Sequence, residues 1–261
     1  MHTQRITSLA LLLGFVLPPC TAFAKPIAYW NFDEGTAGQL FFANPADDLS
    51  GNGYTMYGAD QNSGPAYSVT GKTPTGKGLS LDTLSGSRDG FTTHPTLNEW
   101  KPVQWTIEAT VELDSAKGAI TLIGRDGSAS GSPLSDFYLQ KNDLSNSWRV
   151  DFSTVGGQRV TIDANIPPTA KTWYQLAVTS DGSTVRFYVN DLSNNEGFKE
   201  TGSVELTGAT PADNALASNG KNWTFGRGWY NSKFVDHLDG RLDEIRFSDT
   251  ALKVEEFLKV K

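Results

Sequence analysis

The feature that most constrains the fold is an alternation of apolar and polar residues with a period of two, in short runs broken by turn residues. Residues 105–113 read WTIEATVEL. Ile107, Ala109, Val111 and Leu113 fall on one side, and Thr106, Glu108, Thr110 and Glu112 on the other. That is the pattern of a strand with one face on a core. Residues 173–179 (WYQLAVT) and 184–190 (TVRFYVN) flank Ser180-Asp181-Gly182-Ser183. An Asp-Gly step between β-branched and aromatic runs predicts a hairpin. Further strands are predicted at 27–32, 78–82, 119–124, 136–140, 148–152, 159–163, 204–206, 223–226 and 242–247. Only 251–258 (ALKVEEFL) reads as helix, with Asp249 or Thr250 as its cap. Strands at this density, without interleaved helices, predict an all-β antiparallel sandwich or jelly roll with a short C-terminal helix.

The first 24 residues stand apart from this pattern. Arg5, the apolar run at 9–17 and Ala22-Phe23-Ala24 form the three parts of a secretory signal, with cleavage expected after Ala24. The domain is then expected over residues 25–261, in a secreted or periplasmic protein. The apolar run is far shorter than the ~20 residues that span a bilayer, so no membrane insertion is expected. Cys20 is the one cysteine and would leave with the signal, so stability must come from core burial. The full chain carries a net charge of −7, which argues against nucleic acid as a partner.

Three segments carry a family resemblance. The run AYWNFDEGTAG, then DDLSGNGYTMYGA and GKGLSLD, resembles the start of laminin-G-like domains of the concanavalin A-like lectin/glucanase superfamily. The hairpin WYQLAVTSDGSTVRFYVND resembles their central hairpin, with Asp191 where the family usually has Gly. The end, GRLDEIRFSDTALKVEEF, resembles their closing strand and helix. The resemblance implies a jelly-roll fold that binds glycans or proteins and sometimes carries catalysis. It also implies a structural calcium ion where the chain's beginning and end meet, at Asp48 and Asp243, with Asp33 and Glu34 as weaker candidates. Calcium takes six to eight hard oxygen donors, including loop carbonyls. The alternative is that Asp48 caps a turn and Asp243 accepts backbone N–H bonds. Asp243 shares parity with Ile245 and Phe247, which places it towards the core.

For catalysis the nearest arrangement is Glu108, Glu112 and Asp114. Glu108 and Glu112 would stand about 13 Å apart along a strand, too far for a glycosidase pair. His94, His237, Tyr138, Arg88, Arg125, Arg149, Arg159 and Arg186 are the groups a lyase could draw on, but they fall in no motif. Zinc-type ligand spacing, a Gly-x-Ser-x-Gly elbow and a phosphate loop are all lacking. Aromatic side chains remain, since sugar faces stack on exposed rings. Trp30, Trp105, Trp173 and Trp223 lie in strands and are expected in the core. Trp100, Trp229, Tyr230 and Tyr57, with Tyr54, lie in predicted loops and are the candidate carbohydrate platforms. The expected function is therefore a lectin-like or adhesion domain for a polysaccharide or glycan, with calcium. The alternative is a polysaccharide lyase or glycoside hydrolase on the same scaffold.

Overall fold

The computed structural model describes residues 25–41, 45–58, 66–67, 73–83 and 89–260. The expected signal segment, Cys20 and Arg88 lie outside the described residues. In chain order the strands are β1 (Ala28–Trp30), β2 (Met56–Gly58), β3 (Ala66–Tyr67), β4 (Leu81–Asp82), β5 (Gly90–Thr92), β6 (Trp105–Leu113), β7 (Ile120–Arg125), β8 (Phe137–Asn142) and β9 (Ser147–Ser153). They continue with β10 (Arg159–Asp163), β11 (Trp173–Ser180), β12 (Thr184–Asp191), β13 (Lys199–Glu205), β14 (Trp223–Phe225), β15 (Gly228–Tyr230), β16 (Lys233–Val235) and β17 (Gly240–Ser248).

Two antiparallel sheets make the sandwich. One runs β13-β12-β11-β6-β17-β4-β3, with β1 also paired to β17; the other runs β10-β9-β8-β7-β14-β5-β2. The pair β15–β16 forms a separate two-stranded ribbon. The all-β expectation holds, and the expected C-terminal helix is reduced to one 3-10 turn at Val254–Glu256. Among the described residues no helix is long and apolar enough to cross a membrane.

The period-two pattern fixes which faces meet. Ile107 and Val111 from one sheet, and Leu139, Val150 and Phe152 from the other, are fully buried between the layers. Aromatic pairs knit the sheets together: Trp30 with Phe225 (5.2 Å), Trp105 with Phe152 (5.4 Å) and Trp223 with Phe247 (4.8 Å). Edge-to-face pairs of this kind add to what burial alone contributes. Trp30, Trp105 and Trp223 are core residues as expected. Trp173 is not: its neighbour Tyr174 takes the core side, and Trp173 is half-buried opposite Glu112 on the outer face.

Parity also fails at Asp243, for a definable reason. Asp243 pairs with Thr110 and Arg246 with Glu108, so β17 holds one residue more than β6 between these points. This is a β-bulge, with Glu244 at φ 49°. The extra residue leaves Ile245 and Phe247 in the core but turns Asp243 to the outer face with Thr110.

Candidate functional site

The outer face of the eight-stranded sheet is covered by the chain's own C-terminal segment. Leu252 N donates to Thr106 Oγ1 (2.9 Å), Leu258 N donates to Glu108 Oε1 (2.7 Å) and Gln175 Nε2 donates to the Leu258 carbonyl (3.1 Å). Leu252 and Phe257 pack on Ala177 beneath. The acids weighed for catalysis lie on this face, held by arginines. Arg246 Nε meets Glu108 Oε2 at 2.5 Å. Arg241 gathers Asp82 (3.2 Å), Glu112 (2.6 Å) and Asp114 (2.8 Å). Burial pushes the Glu108 carboxyl up, with Arg246 opposing. The described residues give this set an ion-pairing role.

The seven-stranded sheet has a different outer face. Tyr57, Phe91, Thr224, Gly124, Tyr138, Asp151 and Thr161 form one continuous row of paired residues across it. At mid-row the chain leading into the β15–β16 ribbon crosses over Gly124. A Cβ added there would lie 2.9 Å from the Arg227 carbonyl oxygen, which is why glycine is required. Arg227 fixes the crossing through Asp89 (3.1 Å) and Asp126 (2.6 Å), and stacks on Phe234 at 3.7 Å.

Beyond the crossing lies a bay of about 340 Å³ lined by Ala119, Leu134, Tyr138, Gln140, Asn142, Arg149, Asp151, Tyr230, Val235 and Asp236. Strand alternation supplies its floor. Tyr138 and Gln140 in β8 point out while Phe137 and Leu139 point in; Arg149 and Asp151 in β9 point out while Trp148 and Val150 point in. The ribbon supplies a wall, with Tyr230 about half exposed (49%).

The polar side chains here are already fixed. Arg149 donates through Nε and Nη2 to both oxygens of Asp163 (2.8 and 2.7 Å). Hydrogen bonding from Arg149 holds the Asp163 carboxyl below its ordinary range. Arg159 Nε pairs with Asp151 at 2.5 Å, while its Nη1 donates to the Ser135 carbonyl (2.6 Å) and Ser153 Oγ (3.0 Å). Its guanidinium lies 5.7 Å from the centre of the Tyr138 ring. The Tyr138 hydroxyl donates to the Trp229 carbonyl and accepts from Ser135 N (2.9 Å). Burial pushes this phenol up to about 12. Burial also raises the Asp236 carboxyl, with His237 opposing.

A second polar cavity, of about 370 Å³, lies where the chain's beginning and end meet. Tyr29, Asn31, Asp33, Lys77, Gly78, Asp243 and Glu244 line it, together with Pro74, Thr75 and Val260. Asp243 is 6% exposed and accepts a hydrogen bond from Glu244 N (2.9 Å). Burial raises its carboxyl well above the usual range, and the charges of Glu244 and Asp33 add to the effect. Asp33 is held by Leu79 N (2.8 Å) and Asn31 Nδ2 (3.0 Å). A Cβ on Gly78 would fall 2.2 Å from Asp33 Oδ1, so this approach also needs glycine.

Asp48 does not line this cavity. Its Oδ1 accepts from Tyr29 N (3.0 Å) and Ser50 N (2.9 Å), and its Oδ2 from Ser50 Oγ (2.7 Å) and Tyr54 N (3.1 Å). Those four bonds use the carboxylate's lone-pair capacity, the arrangement expected of a turn clamp. Among the described residues no group of three His, Cys, Asp or Glu is placed to hold a metal ion. The donor set therefore does not fit a calcium shared by Asp48 and Asp243. At Asp243 a buried carboxylate accepts one hydrogen bond, from Glu244 N, and faces the like charges of Glu244 and Asp33.

The aromatic candidates separate clearly. Trp100 is half-buried, stacked on Phe247 (5.8 Å) and beside Trp223 (6.3 Å), so its ring serves the core. Tyr57 is exposed at the far edge of the seven-stranded sheet, 6.3 Å from Phe91. Tyr54 is half-buried against His94 (4.7 Å). Trp229 is half-buried on the ribbon face opposite to Tyr230, and its carbonyl holds Tyr138. Of the four platforms Tyr230 alone lines the bay. Arg125 is fully buried under Trp223 (4.4 Å), donating to the Ala217 carbonyl (2.7 Å), and Arg186 pairs with Asp181 at the hairpin turn (2.8 Å). Sequence reasoning missed Gln140, Asp151, Asp163 and Asp236. The signal for the first two was the alternation of FYLQKN and SWRVDFS, which sends them outward beside Tyr138 and Arg149.

Residues 85–257 match the laminin-G-type family model described as the concanavalin A-like lectin/glucanases superfamily. No curated protein matches. Among solved structures, domain 4 of AbnA, a GH43 extracellular arabinanase from Geobacillus stearothermophilus in complex with arabinotriose, aligns with a TM-score of 0.60 at 16% identity. The alignment covers 89% of this chain and 96% of that one. Trypanosoma rangeli sialidase in complex with sialic acid aligns with a TM-score of 0.53 at 14% identity, over 89% of this chain and 32% of the sialidase. The enzymatically active domain of bacteriophage CBA120 tailspike protein 2 aligns with a TM-score of 0.51 at 16% identity, over 85% and 30%. At these identities the likenesses establish the shared fold.

Proposed function

Since the chain belongs to the concanavalin A-like lectin/glucanases superfamily, we propose that it is a secreted glycan-binding module whose ligand lies in the bay on the outer face of the seven-stranded sheet. One observation carries this reading. An aromatic side chain with about half its surface exposed, Tyr230, stands over hydrogen-bonding side chains that are already immobilised by Arg149–Asp163 and Arg159–Asp151. Groups ordered in advance lose little freedom on binding, so more of each contact appears as affinity. The bay's volume lies within the range of small-ligand sites.

Binding is favoured over cleavage by how these groups are engaged. A lyase would need a phenol free to exchange protons, whereas the Tyr138 hydroxyl is held by Trp229 and Ser135 and is pushed up to about 12 by burial. A hydrolase would need two carboxyls at work, whereas Asp151 is held by Arg159 and Thr161.

We further propose a structural calcium at Asp243, with Asp33 the second carboxylate and Asp48 clamping the adjoining turn. The ion would supply positive charge between the first and last strands of the sandwich. Secretion rests on the Ala22-Phe23-Ala24 site, and the mature chain is expected to begin at Lys25.

A glycan panel tests the reading. Arabinotriose is the first probe, because the arabinanase domain was solved with it. Saturable binding that weakens about tenfold when Tyr230 is replaced by alanine, and weakens when Arg149 is replaced, supports the assignment. Absence of binding across neutral and acidic glycans would remove it.

A further inference from the structure

We infer that the bay takes neutral glycans and turns away those bearing carboxylates, such as uronic and sialic acids. This rests on the glycan-binding reading and adds the chemical class of the ligand. Arginine recognises a carboxylate through its two parallel N–H groups. Here the side-on N–H pair of Arg149 and the Nε of Arg159 already face internal acids, so a ligand carboxylate could reach either guanidinium only beside an existing negative charge. Arg149 presents Nε and Nη2 to the two oxygens of Asp163, and Arg159 Nε faces Asp151 at 2.5 Å. Asp236 adds a third carboxyl, so the lining residues Arg149, Asp151 and Asp236 contain one more acid than base.

Neither lysine on these strands redresses the balance. Lys141 turns its ammonium away, to the Gly118 carbonyl (2.8 Å) and Asp143 (3.3 Å). Lys233 opposes Tyr230 on the ribbon but is exposed and does not line the bay. A ligand carboxylate would have to displace Asp163 or Asp151, or sit beside them at a net repulsion. Sugar hydroxyls face no such conflict. They can donate to carboxylate oxygens, accept from Gln140 or Asn142, and lay a ring face on Tyr230.

The experiment compares debranched arabinan and dextran with polygalacturonate and polysialic acid, by affinity electrophoresis and calorimetry on the full protein. At least one neutral polymer is expected to bind about tenfold or more tightly than either acidic one, with an affinity unchanged by 0.5 M NaCl. Asp163→Asn then frees the Arg149 guanidinium and is expected to create salt-sensitive binding of polygalacturonate while weakening the neutral ligand. Polygalacturonate or polysialate binding the wild type as tightly as any neutral polymer overturns the inference and leaves the glycan reading standing. Failure of all four polymers to bind overturns both. If Asp163→Asn does not fold, the wild-type comparison and its salt dependence decide the question alone.

Discussion

Replacing Tyr230 by alanine isolates the contact on which the binding site depends. The side chain is 49% exposed at the rim of the bay. An aromatic residue carries roughly 150–250 Å² of surface, so about 100 Å² remains to be covered. A sugar ring on one face would cover about half of that, roughly 50 Å². At ~25 cal/mol per Å² the loss is about 1.2 kcal/mol, close to a tenfold rise in Kd. Stability should hardly change, because the ring is at the surface and its neighbours are fixed by other residues. Calorimetry on wild type and variant with a neutral oligosaccharide, alongside melting curves, measures both quantities. An unchanged Kd with an unchanged Tm would refute the reasoning, because the ring would then lie outside the ligand's footprint. A comparable loss of affinity accompanied by a large fall in Tm would also refute it, since the variant would be acting through the fold.

Other predictions address the rest of the molecule. Arg241→Met leaves Asp82, Glu112 and Asp114 without their shared cation, and denaturant melts should show a loss of about 3–5 kcal/mol with little change in glycan affinity. Added calcium should raise Tm by about 5–10 °C at a hundredfold excess over its Kd, and Asp243→Ala should abolish that response. In chelator, stability should rise as pH falls from neutral towards about 5. The folded-state pKa of Asp243 is raised, so protonation favours the folded chain until the unfolded carboxyls titrate near pH 4. Below about pH 4 the trend should reverse, because Asp114 and Asp163 have lowered pKa values and their stabilising ion pairs are lost as pH falls through them. Thermal melts across pH, with chelator and with calcium, check both limbs.

The sandwich was legible because its signal is local. Alternation in residues 105–113 and the Asp181-Gly182 turn specify strand and hairpin without reference to the rest of the chain. Asp243 shows where local reading stops. Parity with Ile245 and Phe247 places it towards the core, but one inserted residue at Glu244 turns it outward, and a bulge depends on the partner strand. Trp100 and Tyr230 make the same point for the site. Both sit in short polar contexts, yet one stacks on Phe247 and the other rims the bay, a difference set by which long-range neighbour each meets. Arg149 and Arg159 were visible as possible sheet-face residues. Their partners Asp163 and Asp151 follow only once the register of β9 with β10 is known.

The most direct test of the central claim is the footprint of the bound glycan, read by hydrogen exchange with the tightest ligand from the panel at saturation. Slowed exchange in β8, β9 and β10 and in the β15–β16 ribbon is the predicted result. Slowed exchange confined to the cavity at Asp33 and Asp243, or to the C-terminal segment over the eight-stranded sheet, would contradict it.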